Sequence, residues 1–285
     1  MPKLIHTLFA VFLCYTANAQ NNDRFTNYGV NEGLSQSSID EINQDKDGFL
    51  WVGTAGGLCR FDGYNFKVYR QSSQDPAAIS SDRGFHFYND RDGRPWIISY
   101  NGLSLYNSLT DNFTNLIIYQ PKNLITIENH FFGEDETFIW AGLCNYGIVK
   151  IDKQSKKVYR TNIVAPKQHP TPNAWYHGFM EKGRIWGIDN NEFNKPIFFI
   201  HDIRRNTTDT LPIPATDIVN MNDSEILAIQ NKGTLLINKK DHTSQFIKVM
   251  EDGSEPNILT ASRLSASEAL LSSPVKGLFY LDIHT

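Results

Sequence analysis

The chain has 285 residues, of which 40% are hydrophobic and 12% aromatic, and its 31 acidic and 27 basic residues give a formal net charge of −4. That length is ample for a large apolar core. A mildly acidic chain without a basic block or stripe excludes a nucleic-acid binder held by phosphate contacts.

Residues 1–19 read as a cleavable signal peptide, with an apolar run from Leu8 to Cys14 and an Ala17-x-Ala19 site cut after Ala19. No later apolar run approaches the roughly 18 residues that a membrane helix needs, so a periplasmic or secreted chain is expected. Residues 20–38 form a lead-in. Within it, Phe25-Thr26-Asn27-Tyr28 has the pattern of Phe66-Lys67-Val68-Tyr69 further on and is expected to close the last sheet, covering an edge.

From Ile39 four strand-like runs follow in quick succession: Ile39 to Asn43, Phe49 to Thr54, Leu58 to Phe61 and Phe66 to Tyr69. Turn chemistry separates them at Asp45 to Gly48, Gly56-Gly57 and Asp62-Gly63. Asp-Gly and Gly-Gly accept the positive φ of tight hairpins, so this is one four-stranded antiparallel sheet. The unit repeats. Trp51, Trp96, Trp140 and Trp186 lie 45, 44 and 46 residues apart, and Leu227 and Leu270 continue the phase. Gly57, Gly102, Gly147, Gly233 and Gly277 keep step. A period of roughly 40–50 residues with four strands per unit predicts an all-β fold, a β-propeller of four-stranded antiparallel blades. The blades are expected over about 39–69, 83–116, 127–160, 173–213, 217–250 and 258–285.

The last repeat stops at Thr285, before a fourth strand. Either Phe25 to Tyr28 supplies it and six blades close, or the chain is a piece of a longer ring; the second is expected. Cys59 and Cys144 stand in non-equivalent places and are read as free buried thiols.

Asp45-x-Asp47-Gly48 and Asp90-x-Asp92-Gly93 lack the ligand spread of a calcium loop and read as hairpin turns. The four tryptophans, fixed in phase on second strands, read as packing between blades. Ligand chemistry is expected from one face, where the connections into first strands and between second and third strands emerge. That face collects Arg83, His86, Tyr100, Asn101, His130, Asn145, Tyr146, Trp175, Tyr176, His177 and Asp189. Aromatic rings beside Asn, Asp and His suit an oligosaccharide, which presents apolar patches edged by hydroxyls. No Gly-x-Ser-x-Gly or His-Glu-x-x-His occurs, so no catalytic residue, metal ligand or cofactor is assigned.

The pattern Gly33-Leu34-Ser35, Ile39-x-x-Ile42, Gln44-Asp45-x-Asp47-Gly48-x-x-Trp51-Val52-Gly53-Thr54-x-x-Gly57-Leu58-x-Arg60-Phe61 resembles the two-component-regulator propeller repeat. It is close in the first repeat, good in the second and weak in the last three. The resemblance implies the periplasmic input region of a bacterial hybrid two-component system, with the chain as an N-terminal fragment and an incomplete seven-bladed propeller. It implies a longer parent anchored in the inner membrane, with a connector and a kinase or transcription-factor module beyond Thr285. A homodimer stays open. Two other readings remain: a stand-alone secreted propeller that binds protein or glycan, and a propeller glycoside hydrolase or lyase.

Overall fold

The computed structural model describes residues 26–118, 129–143, 147–163, 175–190, 196–230, 233–249 and 256–284. One 3-10 turn, Val30–Glu32, precedes the strands. The first sheet runs β1 (Ile39–Gln44), β2 (Leu50–Thr54), β3 (Gly57–Phe61) and β4 (Phe66–Tyr69); the second runs β5 (His86–Asn89), β6 (Pro95–Ser99), β7 (Gly102–Asn107) and β8 (Asn112–Ile118). The third comprises β9 (His130–Glu134), β10 (Phe138–Leu143), β11 (Gly147–Asp152) and β12 (Val158–Arg160). The fourth comprises β13 (Trp175–Glu181), β14 (Arg184–Asn190), β15 (Pro196–Asp202) and β16 (Thr207–Leu211). The fifth holds β17 (Asp217–Asn220), β18 (Glu225–Gln230), β19 (Gly233–Asn238) and β20 (Ser244–Ile247). The sixth holds β21 (Thr260–Arg263), β22 (Glu268–Ser273) and β23 (Gly277–Asp282). Every sheet is an antiparallel meander in chain order, and the described residues form an all-β propeller fold with six blades.

Each of the first strands β1, β5, β9, β13, β17 and β21 stands beside the first strand of the next sheet, so they surround a common axis. Alternation along a strand sends side chains to opposite faces of the sheet. On β2, Trp51 packs towards the second sheet with Leu58, Phe85 and Ile97, whereas Val52 lies on the other face with Leu34 and Cys59. Five such cores join the six sheets in succession. The outward faces of the first and sixth sheets have no sheet against them among the described residues. There Ile42, Leu278 and Tyr280 stay 57%, 72% and 60% exposed. Residues 26–28 form no strand, and the Tyr28 ring lies 4.8 Å from Phe61 and 6.1 Å from Phe66. The predicted closing strand is therefore not formed by these residues, which pack on the first sheet; Phe25 lies outside the described residues.

The tryptophans are buried between blades, as expected, and a carboxylate holds each of the first three. Asp45 Oδ1 accepts the backbone N–H groups of Asp47 and Phe49, both at 3.0 Å, while its Oδ2 accepts Trp51 Nε1–H at 2.7 Å. Asp90 and Asp135 accept the indole N–H of Trp96 and Trp140, each at 2.8 Å. One aspartate thus closes the first hairpin and satisfies a buried indole donor that would otherwise be unpaired. Cys59 is a free buried thiol, donating to Ser35 Oγ at 3.0 Å; Cys144 lies outside the described residues.

Gly53 and Gly142 follow their tryptophans by two residues and face the start of the next blade. A Cβ at Gly142 would stand 2.4 Å from Cγ of Tyr176, and one at Gly53 would stand 2.5 Å from Cβ of Phe85. The ring in each case belongs to a close-packed core with no room to retreat. Gly142→Ala is expected to lower unfolding stability by about 1–3 kcal/mol through overpacking, measured by urea denaturation.

Candidate functional site

Each of the six first strands has a sheet partner on one side only, so its edge N–H and C=O groups turn towards the axis. Such groups need partners. Carboxylates from a neighbouring first strand supply some. Asp40 Oδ2 accepts the N–H of Gly84 at 2.9 Å, and Glu41 Oε1 accepts that of Phe87 at 3.3 Å. Asp217 Oδ2 accepts the Thr260 hydroxyl at 2.5 Å and the Ala261 N–H at 3.4 Å.

These contacts belong to a polar belt with one residue from each blade: Glu41, His86, His130, His177, Asp217 and Thr260. Their cross-strand partners are Gly53, Ile98, Gly142, Ile188, Ile229 and Ser272. Each partner lies two residues past the tryptophan or leucine of the repeat, so the belt sits at one height around the axis. That height is at the end where the chain enters the first strands. Glu41 touches His86, and His130, His177, Asp217 and Thr260 touch in sequence. His86 Nδ1 lies 3.0 Å from Glu41 Oε2, and His177 Nδ1 lies 3.3 Å from Asp217 Oδ1. The His130 and His177 rings stack at 5.4 Å between centroids, and His130 Nε2 donates to the Gly178 carbonyl at 2.6 Å. Glu41, His86 and His177 keep a third of their side-chain surface exposed, so the belt combines fixed geometry with access from solvent.

Electrostatics divide the histidines. Burial, then the neighbouring His177, pushes the His130 imidazole down to about 4. Burial alone would raise the Asp217 carboxyl, but hydrogen bonds and charge from His177 and the hydroxyl of Thr260 hold it below the usual carboxylate range. His130 should remain neutral under mildly acidic conditions. Because its folded value lies below the unfolded one near 6.5, its neutral form supports the fold above that pH and the support is lost as pH falls towards 4. Imidazole carbon shifts followed by NMR should show His130 titrating well below a free histidine; titration near 6.5 would refute the geometry around it.

The residues expected on this face fall into three groups. His86, His130 and His177 are brought together in the belt. Arg83 and Tyr100 form a pair beside it, with the guanidinium 4.3 Å over the ring and the Tyr100 N–H donating to the Arg83 carbonyl at 3.0 Å. Asn101 is half-buried in the turn before β7. By contrast, Tyr176 and Asp189 are 5% and 4% exposed and lie inside the sheet layers. Tyr176 belongs to the core between the third and fourth sheets. Asp189 Oδ1 has no hydrogen-bond partner, and burial pushes its carboxyl up to about 7. Trp175 opens β13, so it is not in a loop. Asn145 and Tyr146 lie outside the described residues. Sequence reasoning missed Asp40, Glu41, Asp217 and Thr260. Positions 41, 86, 130, 177, 217 and 260 are 45, 44, 47, 40 and 43 apart, a signal that was present but unmarked by a shared residue type.

Comparison with known proteins agrees with this architecture. Residues 33–56 match the family described as two component regulator propeller. A 70-residue stretch is 50% identical to a histidine kinase of Formosa agariphila, covering 24% of this chain and 5% of the kinase. An extracellular domain assigned to a hybrid two component system of B. thetaiotaomicron is similar over 91% of this chain and 35% of its own length, with 23% identity and a TM-score of 0.64. An extracellular domain assigned to a one component system of the same organism covers 92% and 38%, with 20% identity and a TM-score of 0.68. The chain thus spans about a third of these structures and a small part of the kinase. No helix among the described residues is long and apolar enough to cross a membrane.

Proposed function

Because this chain carries the two component regulator propeller repeat on a propeller fold, we propose that it is the periplasmic ligand-sensing input region of a two-component signalling protein. The observation that carries the reading is the family match at the first repeat, together with the likeness of fold, over nine-tenths of the chain, to an extracellular domain assigned to a hybrid two component system. The ligand is an oligosaccharide recognised at the axial belt. Rigid first strands hold Glu41, His86, His177 and the Arg83–Tyr100 pair at one end of the axis, offering partners for hydroxyls beside an aromatic face. The chain contributes binding, not turnover. Glu41 is engaged by His86 and Phe87, and Asp217 by His177 and Thr260, so neither is a spare acid or base.

Output passes to a connector and a kinase or transcription-factor module outside this sequence. A ligand shifts such an assembly only by its affinity difference between two arrangements. The uncovered faces of the first and sixth blades are where a further blade of the parent would pack. Calorimetric titration against a panel of oligosaccharides, with the same samples assayed for cleavage products, tests the reading. Saturable heat without product is expected, weakened about tenfold in His177→Gln. Product formation would replace the sensor reading with a hydrolase or lyase.

A further inference from the structure

At the opposite end of the blades, a cleft of about 890 Å³ opens between the fourth and fifth sheets. Six basic and three acidic side chains line it, in a chain whose net charge is −4. The acids are already engaged. Glu181 is bound by the buried Lys239 ammonium, which also donates to Asn220 Oδ1 at 2.7 Å and the Asn222 carbonyl at 2.6 Å. Asp223 pairs with Lys182 at 3.1 Å, and Asp202 lies 3.8 Å from Arg184. Asp202 also accepts the backbone N–H of Arg205 at 2.9 Å, which fixes the β15–β16 turn.

Arg204 and Arg205 on that turn, and Lys240 on the β19–β20 turn, line the same cleft and are exposed. None of the three makes an ion pair among the described residues. The carboxylate of Asp241, beside Lys240, is taken up by the N–H and hydroxyl of Thr243 at 3.0 and 2.7 Å. Three cations from two blades therefore converge on one concavity; Asp202 and Asp241 act on Arg205 and Lys240 through charge, but neither forms an ion pair with them. Arg forks and a Lys ammonium are the side chains that take oxyanions with several acceptor oxygens.

We propose that this cleft is a second binding site, distinct from the axial belt, for a small polyanion bearing two or more phosphate or sulfate groups. Arg204, Arg205 and Lys240 bind its oxyanions, and the paired Lys182, Arg184 and Lys239 hold the walls. The proposal does not depend on the sugar reading at the other end. The test is calorimetry of the whole chain against tripolyphosphate and, separately, sucrose octasulfate, at about 0.15 M salt, where long-range attraction is screened. Saturable binding is expected for at least one probe, and the arm that binds identifies phosphate or sulfate as the group read. Arg205→Glu and Lys240→Glu should each weaken binding at least tenfold. Lys46→Ala, on a first-hairpin turn of a remote blade, should leave it unchanged. No saturable binding of either probe overturns the proposal. So does equal binding by the charge-reversed variants, or equal loss in Lys46→Ala, which would mark diffuse attraction.

Discussion

Replacing Asp90 with alanine is expected to remove about 1–3 kcal/mol of unfolding stability, the cost of leaving a buried donor unsatisfied. The Asp90 side chain is fully buried and accepts the Trp96 indole at 2.8 Å, the Arg94 backbone N–H at 2.8 Å and the Arg94 Nε–H at 2.7 Å. Alanine leaves the indole donor buried without a partner and unties the hairpin. Asp92, two residues on, pairs with the same arginine at 2.9 Å but is 71% exposed. Asp92→Ala should cost under about 1 kcal/mol, the range for surface pairs. The contrast also predicts a pH effect. Burial would raise the Asp90 carboxyl, but the Trp96 and Arg94 donors outweigh it and hold it low. Its contribution is therefore present above the unfolded value near 3.9 and lost as pH falls through the folded one. Urea denaturation of both variants measures this, and similar losses would show that the clasp is ordinary turn chemistry.

Asp189→Asn should act in the opposite direction and stabilise the protein. The Asp189 carboxyl is buried with an unpartnered oxygen, and burial pushes it up to about 7. The folded state thus holds a proton that the unfolded chain has released, so wild-type stability falls as pH rises from about 4 to 7. Near pH 8 the full penalty is present. At about 1.4 kcal/mol per pH unit, the neutral amide should recover about 2–4 kcal/mol. Near pH 4 the two proteins should differ little. Parallel stability–pH curves would contradict the isolation of this carboxylate.

The propeller was legible because its signals are local. Asp-Gly and Gly-Gly turns, tryptophans in phase and a glycine opening β3, β7, β11, β19 and β23 mark the hairpins without knowledge of the ring. The Asp45–Trp51 bond joins residues six apart through a turn, so the aspartate looked like turn chemistry alone. The belt was half legible. Its three histidines drew notice as residue types, whereas Glu41, Asp217 and Thr260 share nothing with them except register. Tyr176 and His177 were read together as loop residues; both lie on β13, where alternation sends Tyr176 into the core and His177 to the belt. The cationic cleft could not be read at all, because Arg204, Arg205 and Lys240 come from turns of two different blades.

On the proposed function, the propeller meets its ligand at the axial belt, at the loop end. Carbon–proton NMR of the imidazoles, with an oligosaccharide that gives saturable heat, tests it most directly. His86 and His177 should shift with the binding isotherm, while His201 and His242, remote from the belt, stay still. Saturation of binding with unmoved belt histidines would place the site elsewhere on the propeller.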